Sequence, residues 1–258
     1  MIRRTAAAGV AALLLSLAPA GPASSAPAEG SERASLPLAG RLVVVDPGHQ
    51  LGNHRFPRRI NRLVPAGGSR KPCNTTGTST RGGYAEATFA WRVALRLRAR
   101  LQALGARVVL TRDSNRQDRW GPCVDVRGRA GNRAGADLKI SIHGDGSYTT
   151  GARGFHVIAP TDRRRWTHDI FRPSRRLAVE TRAALRDNGF RVANYIAGSD
   201  GLDFRGDLAT LNLSDVPTVM VELGNMRDRR DARRMTSRRG QDRYARALTA
   251  AVRAHLDR

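Results

Sequence analysis

Lysine is almost missing from this 258-residue chain: Lys71 and Lys139 are the only two, so the 45 basic side chains are nearly all arginine. Acidic residues are scarce as well, 22 in all, which leaves a formal charge of +23. Aromatic residues make up 5 %, and cysteine occurs twice, at Cys73 and Cys123. No Gly-x-Ser-x-Gly is present, and neither cysteine precedes a helix as a nucleophile would, so serine and cysteine hydrolase chemistry is excluded. No internal repeat is visible. Beyond the N-terminus no apolar run is long enough to span a bilayer.

What is there begins with a leader. Arg3 and Arg4 precede "TAAAGVAALLLSLAPAGPASSAPA", a basic start followed by a short apolar run and small residues with A-x-A-like cleavage points. This reads as a secretory signal over 1–28, cut somewhere in 20–28. A mobile lead-in over 29–40 and a single catalytic domain over 41–258 follow. An exported protein meets wall polymers and anionic lipid rather than nucleic acid. The arginine excess is therefore either a surface for anionic wall polymers or the mark of a GC-rich coding bias. No specific nucleic-acid partner and no stable membrane insertion are expected, and a monomer is. Export also favours a disulfide between Cys73 and Cys123 over a free thiol or a metal ligand.

From residue 41 apolar strands alternate with amphipathic helices. Strands are read at 41–46, "ARVVLTR", "KISIHGDGS", "GFHVIAP", "FRVANYIA" and "VPTVMVEL". Helices are read at "AEATFAWRVALRLRARLQALG", at 126–135, at "PSRRLAVETRAALRDNG" and at "GQDRYARALTAAVRAHLDR". Phe89, Val93, Leu97, Leu101 and Leu104 form the stripe of the first helix, and Gly105 is its stop. The alternation predicts an α/β domain, a twisted and mostly parallel sheet flanked by helices, with the active site at the C-terminal strand edge. The long loop 50–83, rich in Gly, Pro, Asn and Thr, is either a flap gating a cleft or a loose insertion.

Three strands end in polar residues of one kind of chemistry. "VVVDPGHQ" delivers His49, "KISIHGDGS" delivers His143, and "VPTVMVELGN" delivers Glu222. Glu86, seven positions before Val93, falls in line with the apolar stripe. It is either an acid favoured by the first helical turn or a paired or metal-bound carboxylate. Two histidines and a carboxylate suit zinc with water in the open position, and Glu222 then serves as the base that moves the water proton. Asp46 is a turn cap or orients His49; Asp145 is a turn former or a partner behind the ligands. His54, His156, His168 and His255 are read as structural hydrogen-bonders.

"VVVDPGHQ", "AEATFAWRVALRLRARLQALGARVVLTR", "RGRAGNRAGADLKISIHGDGS" and "DLATLNLSDVPTVMVELGNMRD" resemble the signature blocks of the zinc-dependent N-acetylmuramoyl-L-alanine amidases of the amidase_3 type, in that family's order. The likeness is strongest to short, single-domain actinobacterial wall amidases and runs from about residue 41 to the C-terminus. It implies a Zn2+ centre at His49, Glu86 and His143 with Glu222 catalytic. It also implies cleavage of the amide between the lactyl group of N-acetylmuramic acid and L-alanine, in peptidoglycan or muropeptides outside the cell. Two departures stand out: Gln50-Leu51-Gly52 where a second glycine is usual after the first histidine, and Gly144 where alanine is usual after the second. The rival readings are a zinc peptidase or deacylase acting on other amides, and a non-catalytic wall-binding regulator.

Overall fold

The all-apolar run after residue 41 becomes β1 (Leu42–Pro47), buried along its whole length. A strand can be apolar on both faces only when both are covered, as in the centre of a parallel sheet. β1 lies between two parallel neighbours, β4 (Arg107–Leu110) and β5 (Leu138–Asp145). A computed structural model describes residues 36–196 and 198–257. The expected signal at 1–28 and residues 29–35 of the expected lead-in lie outside the described residues. Residues 36–40 are not a mobile lead-in, since Leu38 is fully buried in the core and its amide donates to the Leu104 carbonyl at 2.8 Å.

The main sheet has six strands in the order β4-β1-β5-β8-β6-β7, with β8 (Thr218–Asn225), β6 (His156–Pro160) and β7 (Leu202–Arg205) completing it. β8 is parallel to β5, whereas β6 runs antiparallel to β8 and carries β7 parallel to itself. The sheet is therefore mostly parallel, as the alternation predicts. Val43, Val45, Ile140, Ile142, Val219 and Val221 point to one face. There they pack beneath α2 (Glu86–Ala103), α4 (His168–Asp187) and α7 (Arg238–Leu256). Each such side chain contributes about 1.5–3 kcal/mol by leaving water. The opposite face is mixed: Asp46, Lys139 and Ser141 are fully buried there beside the apolar Leu42, Val44, Ile158 and Met220. It is covered by the short helices α3 (Val124–Arg129) and α5 (Ala209–Asn212). No helix of the described residues is long and apolar enough to cross a membrane.

Several boundaries differ from expectation. "FRVANYIA" is not a strand: Val192 alone bridges, to Phe155, and Asn194 then turns its side chain into the 151–153 loop. The edge strand is β7 instead, whose alternating charges hid it. α3 spans 124–129 rather than 126–135, because the chain turns at Gly131 with φ +93°. Cys123, expected to precede no helix, therefore stands at its N-cap, where the disulfide and not its position denies it a nucleophile's role. α4 starts at His168, five residues ahead of Pro173, which sits inside it. A further helix, α6 (Arg229–Thr236), capped by Asp228, precedes α7; only Met235 and Asp231 of its residues are buried, so it shows no apolar stripe.

The loop 50–83 is folded. It holds α1 (Pro57–Ile60) and a hairpin, β2 (Leu63–Pro65) against β3 (Arg70–Pro72). A disulfide joins Cys73 to Cys123, 50 residues on, behind the hairpin; closing a loop of that size stabilises by about 4 kcal/mol through lost unfolded-chain entropy. The tip is held from the other side. Asn212 Nδ2 donates to the Ala66 carbonyl at 2.9 Å and Arg163 Nη1 to that of Gly67 at 2.6 Å. Lys71 Nζ meets Asp207 at 2.7 Å. A loose insertion has no such anchors.

Candidate active site and metal centre

Two residues past β1, His49 takes a left-handed backbone with φ +55°. A non-glycine residue stays there only where its surroundings hold it. Here a buried guanidinium does so. Arg127, on α3, donates to the carbonyls of Pro47 at 2.8 Å and His49 at 2.7 Å. Its charge is met by Asp46 at 2.5 Å. Ser141 Oγ donates to the same carboxylate at 2.6 Å, and the Thr111 hydroxyl donates to it as well. Burial would push the Asp46 carboxyl up, but Arg127 and the two hydroxyls hold it well below the usual carboxylate range. Asp46 thus reaches His49 only through Arg127.

The His49 ring is fixed by Thr75, whose carbonyl is 3.1 Å and hydroxyl 3.2 Å from Nδ1. A proton on Nδ1 leaves the Nε2 lone pair free. Nε2 lies 3.1 Å from Glu86 Oε1, and His143 Nδ1 lies 2.9 Å from the same oxygen. Glu86 is the first residue of α2 and is 4 % exposed. Both readings of its position hold: it occupies the first turn and is paired. Its Oε1 also accepts from the Gly144 amide, and its Oε2 from the Thr78 amide at 2.9 Å. Burial works against this charge, but the two imidazoles hold the carboxyl well below its usual range. Burial likewise disfavours a charged His49 ring, and Glu86 outweighs it, raising that pKa.

Backbone approaches this group closely. Gly77 has φ +76°, and a Cβ there would sit 2.8 Å from Glu86 Oε2 and 2.9 Å from the His49 ring. The departure at Gly144 has a neighbour to match, since a Cβ there would meet the Met235 methyl at 2.5 Å. The other departure is used too: Gln50 Oε1 accepts the amides of Leu51 and Arg116, tying this loop to the next.

The ligating atoms of His49, Glu86 and His143 all lie within 4.8 Å of one another. Two imidazole nitrogens and one buried carboxylate oxygen, open on the cleft side, are the donor set of a catalytic zinc site. The residues fit the metal.

Glu222 is the register partner of His143 across β5 and β8. All four residues line a cleft of about 430 Å³, roofed on one side by Lys71 and Pro72 of the hairpin. Glu222 Oε2 is buried and has no hydrogen-bond partner among the described residues. Burial, joined by the negative charges of Glu86 and Asp145, pushes its carboxyl well above the usual range, with Arg205 opposing. Such a group holds a proton more readily than an ordinary carboxylate. Asp145 accepts the Gly146 amide at 2.6 Å and bonds neither imidazole, which makes it a turn former that also charges the cleft.

Sequence reading missed two residues here. Arg127 gives no local signal, because its partners lie far away in the chain. The second is His156, expected to be a structural hydrogen-bonder, whose Nδ1 is buried without a partner among the described residues. It faces Glu222 across β6 and β8, with the Tyr195 ring edge-on at 6.1 Å. The signal was the alternation in "GFHVIAP", which puts His156 on the face of Ile158, a cleft residue. His54, His168 and His255 do have the structural partners expected, the Leu51 carbonyl, Asp162 and Glu180.

Known proteins carry the same frame. Residues 43–254 match the family Amidase_3, described as N-acetylmuramoyl-L-alanine amidase. An N-acetylmuramoyl-L-alanine amidase of Mycobacterium tuberculosis is 43 % identical over 222 residues, covering 85 % of this chain and 88 % of that one. The crystal structure of the amidase Ami1 from Mycobacterium abscessus, in its apo form, superposes with a TM-score of 0.78 at 42 % identity, covering 84 % of this chain and 99 % of that one. Ami1 from Mycobacterium smegmatis gives 0.78 at 38 % identity, with 85 % and 98 % covered. The matched segment begins inside β1 and ends inside α7, so it spans every element described above, and the chain belongs to the Amidase_3 family as an N-acetylmuramoyl-L-alanine amidase.

Proposed function

We propose that the chain is an exported zinc amidase of the cell wall, cleaving the bond between the lactyl group of N-acetylmuramic acid and L-alanine in peptidoglycan or its fragments. His49, Glu86 and His143 would hold the metal. One observation carries the reading: both imidazoles meet one buried carboxylate oxygen, while a second carboxylate, that of Glu222, lines the same cleft with Oε2 unpartnered among the described residues. A zinc ion held there would supply Lewis acidity and would lower the pKa of water toward about 7.

The chain's own residues do the rest. Glu222 takes the proton of the attacking water and returns it to the departing amine of L-alanine. Its apolar, negatively charged surroundings suit it to hold that proton between the two steps. Thr75 and Arg127 keep His49 aimed. The anchored hairpin closes one wall of the cleft and excludes water there. The export signal and the disulfide support an extracytoplasmic site of action.

Metal analysis beside muropeptide digestion tests this. Wild type should carry one equivalent of zinc and release L-alanyl peptides; His143→Ala should lose both. Glu222→Gln should keep the zinc and lose the cutting. Cutting that survives Glu222→Gln, or a His143→Ala protein that keeps full zinc, overturns the assignment.

A further inference from the structure

The arginine excess is not evenly spread. Residues 227–246 hold nine arginines in twenty positions, against 43 in the 258 residues of the whole chain. A uniform coding bias does not concentrate them so. The segment has three acids, and each is committed elsewhere. Asp228 caps α6, Asp231 accepts the amides of Gly154 and Asn225, and Asp242 pairs with Arg96. Of the nine guanidinium groups only that of Arg234 reaches a carboxylate among the described residues, Asp231 at 3.4 Å.

Eight of the nine, all but Arg238, line two hollows that meet along α6. One, of about 830 Å³, lies between α6, the start of α7 and the end of α4, with Arg239, Arg243 and Arg246 on its walls. The other, of about 700 Å³, lies between α6 and the 147–153 loop, with Arg81 and Arg153 opposite. Arg230 and Arg233 line both, so the hollows share a wall of positive charge. The second reaches Asn225, three residues beyond Glu222, and the exposed Tyr148 ring there lies under the Arg227 guanidinium at 4.7 Å. The tract thus begins at the rim of the cleft and leads away from it.

We propose that this tract binds a linear polyol- or sugar-phosphate polymer of the wall, seating it beside the catalytic cleft. Unpaired like charges crowded on an eight-residue helix, about 12 Å long, repel one another unless anions lie between them. The planar guanidinium fork matches phosphate with two parallel hydrogen bonds. A ligand charged at every repeat fits this density, whereas peptide carboxylates carried at wide intervals along a glycan do not. The choice of a wall polymer rests on the proposed extracytoplasmic amidase; the anion site does not.

Binding of poly(glycerol phosphate) to the full-length chain tests the proposal, with poly-L-glutamate and single-stranded DNA of matched charge as comparison probes. Arg230→Ala/Arg233→Ala should weaken poly(glycerol phosphate) binding about tenfold or more and reduce the log–log salt slope by about 1.5–2. Arg172→Ala/Arg175→Ala, an equal loss of charge from exposed positions in the first half of α4, should change affinity less than about twofold. Equal losses from both pairs would mean diffuse charge and overturn the site. So would binding to poly-L-glutamate or to DNA at least as tight as to poly(glycerol phosphate). Melting temperature checks that each variant folds, and cutting of a small muropeptide is read separately, so failure of the amidase assignment leaves this result legible.

Discussion

Arg127→Met is the most telling single substitution. The side chain is 3 % exposed and donates to Asp46, to the carbonyls of Pro47 and His49, and through Nε to that of Pro122 at 3.0 Å. Methionine replaces its volume but strands a fully buried carboxylate, and breaking a buried pair in this way costs about 3–5 kcal/mol. In a domain of this size each kcal/mol moves the melting temperature by about 2–4 °C, so a fall of roughly 6–20 °C is expected in thermal unfolding. Adding Asp46→Asn removes the stranded charge and should restore most of that loss. It should not restore zinc affinity, expected to stay about 10–100-fold down by metal-competition titration, because the guanidinium that binds the His49 carbonyl is still missing.

Acid sensitivity follows with a definite sign. A carboxyl held below its unfolded value adds stability that is complete above the ordinary Asp pKa near 4, and loses it as pH falls through the folded value. Wild type should therefore weaken in acid more steeply than the double variant by about one proton. An Arg127→Met protein that melts within about 2 °C of wild type, or a double variant that binds zinc as tightly as wild type, would refute this role for Arg127.

Other substitutions divide the remaining roles. Gly77→Ala puts a methyl group against Glu86 and the His49 ring; zinc affinity should fall about tenfold or more by titration, with far-ultraviolet dichroism unchanged. Glu222→Gln should lower kcat by about 10²–10⁴ on a muropeptide while one equivalent of metal remains by elemental analysis. Cys73→Ser/Cys123→Ser should lose about 2–5 kcal/mol in denaturant unfolding yet keep the wild-type zinc content at 25 °C; loss of zinc would show that the bridge positions the centre as well as the loop.

The strand tips were legible because β1, β5 and β8 are buried and keep an unbroken apolar core face, then end in two imidazoles and a carboxylate. His49, His143 and Glu222 announce themselves by breaking a rule. Glu86 was half legible: spacing placed it on the stripe, and only the fold brought two imidazoles to it. Arg127, among many arginines, could not be picked out, since its five acceptors come from segments 5 to 81 residues away. β7 was lost for another reason. An edge strand is half exposed, so "LDFR" carries charge where a central strand carries valine. The hairpin's anchors fall in the same class, because Lys71 meets an acid 136 residues distant.

Glu86 has two oxygens with separate loyalties. One is shared by both imidazoles; the other receives the amide of Thr78, just after the bridged cysteine, in the run that leads back to the roof of the cleft. A cation that drew the carboxylate inward would pull that run with it; loading the centre would then stiffen the roof, and by reciprocity an occupant that steadied the roof would tighten the grip on the ion.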